Sequence, residues 1–110
     1  MSGIGVDILE LERVKKARFL NRLAEFVLSD KEISEFQKSS DKIQFFASRF
    51  AVKEAVIKAY PQKLTYRDFE IVRNGDKPEI NFFNHNHPNP KVLISISHST
   101  KYAVGFAVAI

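Results

Sequence analysis

Residues 3–9 alternate, with Ile4, Val6 and Ile8 set between Gly5, Asp7 and Leu9, and this period of two predicts a strand. Past Glu10 the period lengthens. Leu11, Val14, Phe19, Leu20 and Leu23 recur at helical spacing across residues 10–27, opposite a basic face of Arg13, Lys15, Lys16, Arg18 and Arg22. Ser29 followed three residues later by Glu32 is a capping-box pattern, which predicts a further helix from about Asp30 to Gln37. Ser39, Ser40 and Asp41 interrupt the chain, and a longer helix runs from Asp41 or Lys42 to Tyr60, where Pro61 stops it. On a helical projection its apolar residues cover nearly the whole circumference. Ile43, Phe46, Phe50 and Ile57 form one stripe; Phe45, Val52, Val56, Ala59 and Tyr60 form another. A helix apolar on all sides must be buried, in the core or in a subunit interface.

The second half reads as strands. Phe69–Arg73 and Glu79–Phe83 flank the turn Asn74-Gly75-Asp76-Lys77-Pro78 and predict a hairpin. Residues 84–90 are a polar turn-rich loop, and Val92–His98 and Tyr102–Ile110 are two more strands joined by Ser99-Thr100-Lys101. Helices first and antiparallel strands after them give an α+β fold, one domain over residues 1–110, with an N-terminal strand and helices packed on a small antiparallel sheet.

Composition narrows the chemistry. A chain of 110 residues that is 45% hydrophobic builds a single core. It has no cysteine, which excludes disulfides, thiolate metal sites and cysteine nucleophiles. The N-terminal MSGIGVDILELER lacks the basic stretch and apolar run of a signal peptide, and no apolar run approaches the roughly 20 residues that span a bilayer, so a cytoplasmic protein without a membrane partner is expected. A net charge of +4 favours an anionic partner: a nucleotide, a nucleic acid or an acidic protein.

Four features stand out as candidate chemistry. Asp7 sits mid-strand between Val6 and Ile8, where a carboxylate either faces water on an edge strand or needs a cation. The long helix carries Arg49, Lys53, Glu54 and Lys58, and Glu54 and Lys58 are four apart on one face, the spacing of an ion pair. Asp7 and Glu54 together would suit Mg²⁺, an ion held by one or two carboxylates, waters and phosphate oxygens. His98 ends a strand beside Ser97 and is able to donate to a phosphate. His85 and His87 lie two apart in a loop with no third ligand in sight, and read as loop residues. The basic face of residues 13–22 is either a solvated surface or a docking patch.

Three segments taken together are more specific. GIGVDILELER at 3–13, RFAVKEAVIKA at 49–59 and ISISHSTKYAVGFAV at 94–108 resemble the blocks of holo-[acyl carrier protein] synthases, in the family's order and near its spacing, and the resemblance covers essentially the whole chain. It implies transfer of 4'-phosphopantetheine from coenzyme A to a serine of apo acyl carrier protein in fatty acid biosynthesis, with release of 3',5'-ADP. By the same resemblance Asp7 and Glu54 bind Mg²⁺, Lys58 sits beside the phosphates, and Asp7, Glu54 and Lys58 form the catalytic set. Arg49, Lys53, Lys58, Ser97 and His98 are expected around the coenzyme A, and Arg13, Arg18 and Arg22 on the acidic carrier protein. A homotrimer with active sites between subunits, and no nucleic-acid partner, are also implied. Two departures accompany the match: Tyr60-Pro61-Gln62-Lys63 replaces a glycine-containing loop, and Phe26 stands at a basic position. The competing readings are a basic α+β module that binds nucleic acid, and a catalytically dead homologue.

Overall fold

The computed structural model describes residues 2–84 and 91–110. The elements follow in the order β1 (Gly3–Glu10), α1 (Leu11–Lys15), α2 (Leu20–Val27), α3 (Asp30–Lys38), α4 (Lys42–Ala59), a 3₁₀ turn (Tyr66–Asp68), β2 (Phe69–Asn74), β3 (Lys77–Phe82), β4 (Val92–His98) and β5 (Tyr102–Ala109). The α+β expectation holds. The strands form two antiparallel sheets, one of three strands in the order β1-β5-β4 and the hairpin β2-β3. His85 and His87 lie outside the described residues.

The helix expected across residues 10–27 is two helices. Lys16 and Ala17 close α1 by donating to Glu12 and Val14, and α2 restarts at Leu20. No Gly or Pro marks this break, and packing supplies the reason. On one straight helix Val14 and Val27 would point about 140° apart. Both are buried in the same core cluster, with Ala24, Phe36, Phe46 and Ala103, and only a broken helix turns both toward it.

Helix α4 is the centre of the molecule. Phe46, Ala47, Ala51, Val52, Ala55 and Val56 are fully buried, between the three-stranded sheet on one side and the shorter helices on the other. Of the two burials its pattern allowed, this is the core. Asp41 caps its first turn by accepting from the Gln44 amide, and it ends at Tyr60 ahead of Pro61. Ser29 and Glu32 form the capping box of α3 as its spacing predicted.

Close approach of α4 to β1 inverts the usual order of a half-buried strand. Gly5, Asp7 and Leu9 face the helix, and Ile4, Val6 and Ile8 face outward, each more than half exposed. A Cβ at Gly5 would collide with the Ala55 carbonyl, and one at Gly105 with the Val52 backbone. Glycine is what lets the sheet lie this close to the helix.

Candidate functional site

Asp7 lies on the α4 side of β1, in register with Gly105 of β5 and Ile96 of β4. It is partly buried, and its partner is a cation. Lys58 Nζ sits 3.1 Å from Asp7 Oδ1 and donates also to the Val6 carbonyl at 3.0 Å. The helical spacing suggested that Lys58 would pair with Glu54; it reaches across to the strand. Glu54, one turn earlier on the same face of α4, is half-buried, and its charge reaches Tyr66 in the turn before β2. Burial first, then the charge of Glu54, the hydrogen bond to it and the charge of Asp7 push the Tyr66 phenol up to about 12. One tyrosine thus senses both carboxylates, which come from elements 47 residues apart in sequence.

Tyr66 was not singled out in the sequence. It belongs to the turn between α4 and the hairpin, and its ring packs on Phe50 of α4 and Phe26 of α2, with centroids 6.0 and 5.9 Å apart. The one local signal is Thr65 with Asp68 three residues on, a capping box that fixes the turn.

Arg49 and Lys53, expected around coenzyme A, are both buried in the single chain. Lys53 has no exposed surface, and its ammonium meets Glu32 Oε1 at 2.7 Å and the carbonyls of Val27, Phe69 and Tyr66 at 2.9, 3.2 and 3.4 Å. An ammonium has three protons, and these four acceptors occupy them. Arg49 is buried beside Glu32 at 3.7 Å and stacks on the Phe45 ring at 4.6 Å. Burial pushes both cations below their ordinary values, and the charge of Glu32 works against that. Both side chains are turned inward, onto Glu32. Glu32 was read as a capping residue only, and its second role as their counter-ion needed the tertiary structure.

His98 is exposed at the end of β4 and faces the same side as Ile94 and Ile96. It lines a groove of about 1100 Å³ between the β2–β3 hairpin and β4, with Arg73, Lys77 and Lys91 on its walls beside Asp76 and Glu79. Ser97 points to the opposite face, as alternation requires, and is not among the groove residues. Within one chain the two regions stay apart, because Asp7 and His98 lie on opposite edge strands, roughly 10 Å across the sheet.

Arg13, Arg18 and Arg22 are all exposed, on α1, in the break and on α2. Around them are apolar residues that the basic-face reading did not expect to find exposed. Phe19 is 65% exposed, Phe26 62% and Leu23 40%, and the Arg22 guanidinium lies over the Phe19 ring at 5.5 Å.

Residues 3–107 match the model of the 4'-phosphopantetheinyl transferase superfamily. The chain belongs to this superfamily. Among its relatives, a holo-[acyl-carrier-protein] synthase of Thermodesulfovibrio yellowstonii is 40% identical, the alignment covering 98% of this chain and 97% of that one. The crystal structure of holo-[acyl-carrier-protein] synthase from Neisseria meningitidis superposes with a TM-score of 0.90 over the whole of this chain and 98% of that one, at 27% identity. A holo-(acyl-carrier-protein) synthase from Bacillus anthracis, solved in complex with CoA (3',5'-ADP), superposes with a TM-score of 0.81 at 35% identity, covering 98% of this chain and 95% of that one. As a phosphopantetheinyl transferase the chain is an enzyme.

The donor set of such a transferase's site has hard oxygen chemistry. Asp7 and Glu54 are carboxylates with a lysine beside them, and among the described residues no group of three or more His, Asp or Glu forms a closed metal cage. That suits Mg²⁺, which leaves most of its coordination to water and phosphate oxygens, and does not suit zinc. Among the described residues no helix is long and apolar enough to cross a membrane.

Proposed function

We propose that the chain transfers 4'-phosphopantetheine from coenzyme A to a serine of an apo acyl carrier protein, with Mg²⁺, in cytoplasmic fatty acid biosynthesis. The observation that carries this reading is the convergence of Asp7, Glu54, Lys58 and Tyr66 at one place in a chain of this superfamily. The carrier serine oxygen forms a bond to the β-phosphorus of coenzyme A, the bond from that phosphorus to the bridging oxygen breaks, and 3',5'-ADP leaves. The serine proton passes to Glu54 or to water. Asp7 and Glu54 are the residues that would hold Mg²⁺, which would polarise the pyrophosphate and neutralise its charge. Lys58 neutralises a phosphate oxygen, and positioning and charge neutralisation supply most of the rate.

Coenzyme A needs a second contact for its nucleotide end. The groove beside His98 offers Arg73, Lys77 and Lys91 for phosphates. Because β1 and β4 are opposite edges of one sheet, a closed ring of copies sets the Asp7 edge of one chain near the His98 edge of the next. The outward Ile4, Val6, Ile8, Leu93 and Phe106 form an exposed apolar sheet face, large enough in character to hold such a homotrimer together. The carrier protein, acidic and helical, docks on Arg13, Arg18 and Arg22, with Phe19, Leu23 and Phe26 supplying apolar contact.

The test is mass spectrometry of an apo acyl carrier protein incubated with this protein, coenzyme A and Mg²⁺, with an EDTA control. The expected result is a gain of one phosphopantetheine on the carrier serine that does not occur when EDTA is present. No gain with several carriers overturns the reading.

A further inference from the structure

We infer that Lys53 is a positioning residue for carrier docking: its buried ammonium fixes the end of α2, the helix of Arg22, Leu23 and Phe26, against the central helix α4. The inference rests on the proposed docking of the carrier protein on this strip. Helix α2 has eight residues, too few to stay helical without tertiary support. Of these only Ala24 and Val27 are buried. Phe19 at its N-cap has no side-chain oxygen to accept from the first amides, and no basic residue stands in its last turn. Its anchors lie at the C-terminal end and come from other elements.

Lys53 Nζ donates to the carbonyl of Val27, the last residue of α2, at 2.9 Å. The last carbonyls of a helix have no partner within it and carry the negative end of its dipole, so an ammonium there both satisfies and attracts them. The same ammonium donates to the carbonyls of Phe69 at 3.2 Å and Tyr66 at 3.4 Å. The Tyr66 ring is the platform for Phe26, the residue before Val27, with centroids 5.9 Å apart. One cation thus holds the end of α2 and the turn it leans on, and Glu32 at 2.7 Å balances its charge. Without the ammonium the Val27 and Tyr66 carbonyls lose their common partner, and α2 is left to the side-chain packing of Ala24, Phe26 and Val27. A loosened strip must be ordered each time the carrier binds, and that cost weakens the carrier and not coenzyme A.

The experiment compares the wild type with Lys53→Met, with Lys53→Met combined with Glu32→Gln, and with Val56→Ala. Methionine keeps the length of the side chain without its donor, and Glu32→Gln removes the carboxylate that Lys53→Met alone would strand. Val56→Ala weakens the core cluster packed on the sheet, and not the one that holds Val27. Melting temperature, hydrogen exchange of the amides of residues 20–28, and KM for the carrier protein and for coenzyme A are read together. In both Lys53 variants exchange across α2 and the carrier KM should each rise by about tenfold, with the coenzyme A KM within about twofold of wild type. The double variant should melt higher than Lys53→Met and keep its raised carrier KM. Val56→Ala should melt lower than the wild type with its carrier KM unchanged. A double variant with the wild-type carrier KM overturns the inference, and so does one that fails to fold, since the pair then serves the fold alone. A carrier KM raised as much by Val56→Ala, or both KM values raised alike by the Lys53 variants, also overturns it. A wild type that transfers to no carrier removes the proposed function instead, whereas wild-type exchange across α2 in the Lys53 variants removes only the inference.

Discussion

Lys53 Nζ lies 2.7 Å from Glu32 Oε1 with neither side chain exposed, and this pair joins the central helix to α3. Glu32 also accepts from the Ser29 and Ile71 amides, so a single carboxylate ties the start of α3 to β2 as well. Removing one partner of a buried pair strands the other charge away from water. Glu32→Ala should therefore lower the unfolding free energy by about 3–5 kcal/mol. Urea denaturation measures it, and a loss below about 1 kcal/mol would show that the network does not carry the fold.

Glu54→Ala removes one of the two carboxylates proposed for Mg²⁺ while leaving the buried face of α4 intact. It should cut Mg²⁺-dependent transfer by at least about a hundredfold, with the melting temperature near wild type. Asp7→Asn should behave alike, because it also deprives Lys58 of its partner. Transfer at wild-type rate in either variant counts against the assignment.

Tyr66 gives a pH signature. Its folded pKa is about 12 and its unfolded value about 10. Between those two values the unfolded chain has lost the proton that the folded chain keeps. The contribution of Tyr66 to stability is thus complete below about pH 10 and is lost as the pH rises toward 12. Phenolate absorbance at 295 nm should show a component ionising near pH 12 that Tyr66→Phe lacks, and the alkaline fall in stability should be shallower in that variant. An identical titration in both proteins would refute the coupling to Glu54 and Asp7.

Docking through a basic and apolar strip predicts a split in the kinetic constants. Arg13→Glu and Arg22→Glu should raise KM for the carrier protein by about tenfold or more and leave KM for coenzyme A within about twofold. Added salt should weaken the wild type more than these variants. Equal changes in both KM values would place these arginines elsewhere in the cycle.

The outward sheet face predicts assembly. Val6→Glu puts a charge among Ile4, Ile8 and Phe106 without touching the core, since Val6 is 54% exposed in the single chain. Sedimentation velocity should find trimers of the wild type and monomers of Val6→Glu, and the variant should lose transfer if the site is shared between copies as proposed. A monomeric, fully active wild type would remove both the trimer and the shared site.

Much of the molecule was legible because local rules and packing agree there. Ser29 and Glu32 announce α3, Pro61 ends α4, and Asn74-Gly75 turns the hairpin, whose Gly75 takes a positive φ of 65°. Asp7 and Glu54 were legible as anomalies, carboxylates in apolar surroundings that a structure must answer with cations or donors. The break between α1 and α2 was not legible, since it comes from Val14 and Val27 reaching one core and not from any breaker residue.

The sequence by itself determined the elements, their order and the residue types available for chemistry, because periodicity, caps and turns act over a few residues. Tertiary structure decided the partners. Lys58 chose Asp7 over Glu54, Lys53 and Arg49 turned inward to Glu32, and Tyr66 came to rest on Phe50 and Phe26. Each choice depends on which faces of α4 meet β1, α3 and the turn before β2. That is fixed by close packing of Gly5 and Gly105 on the helix, a constraint between distant segments that no local pattern encodes.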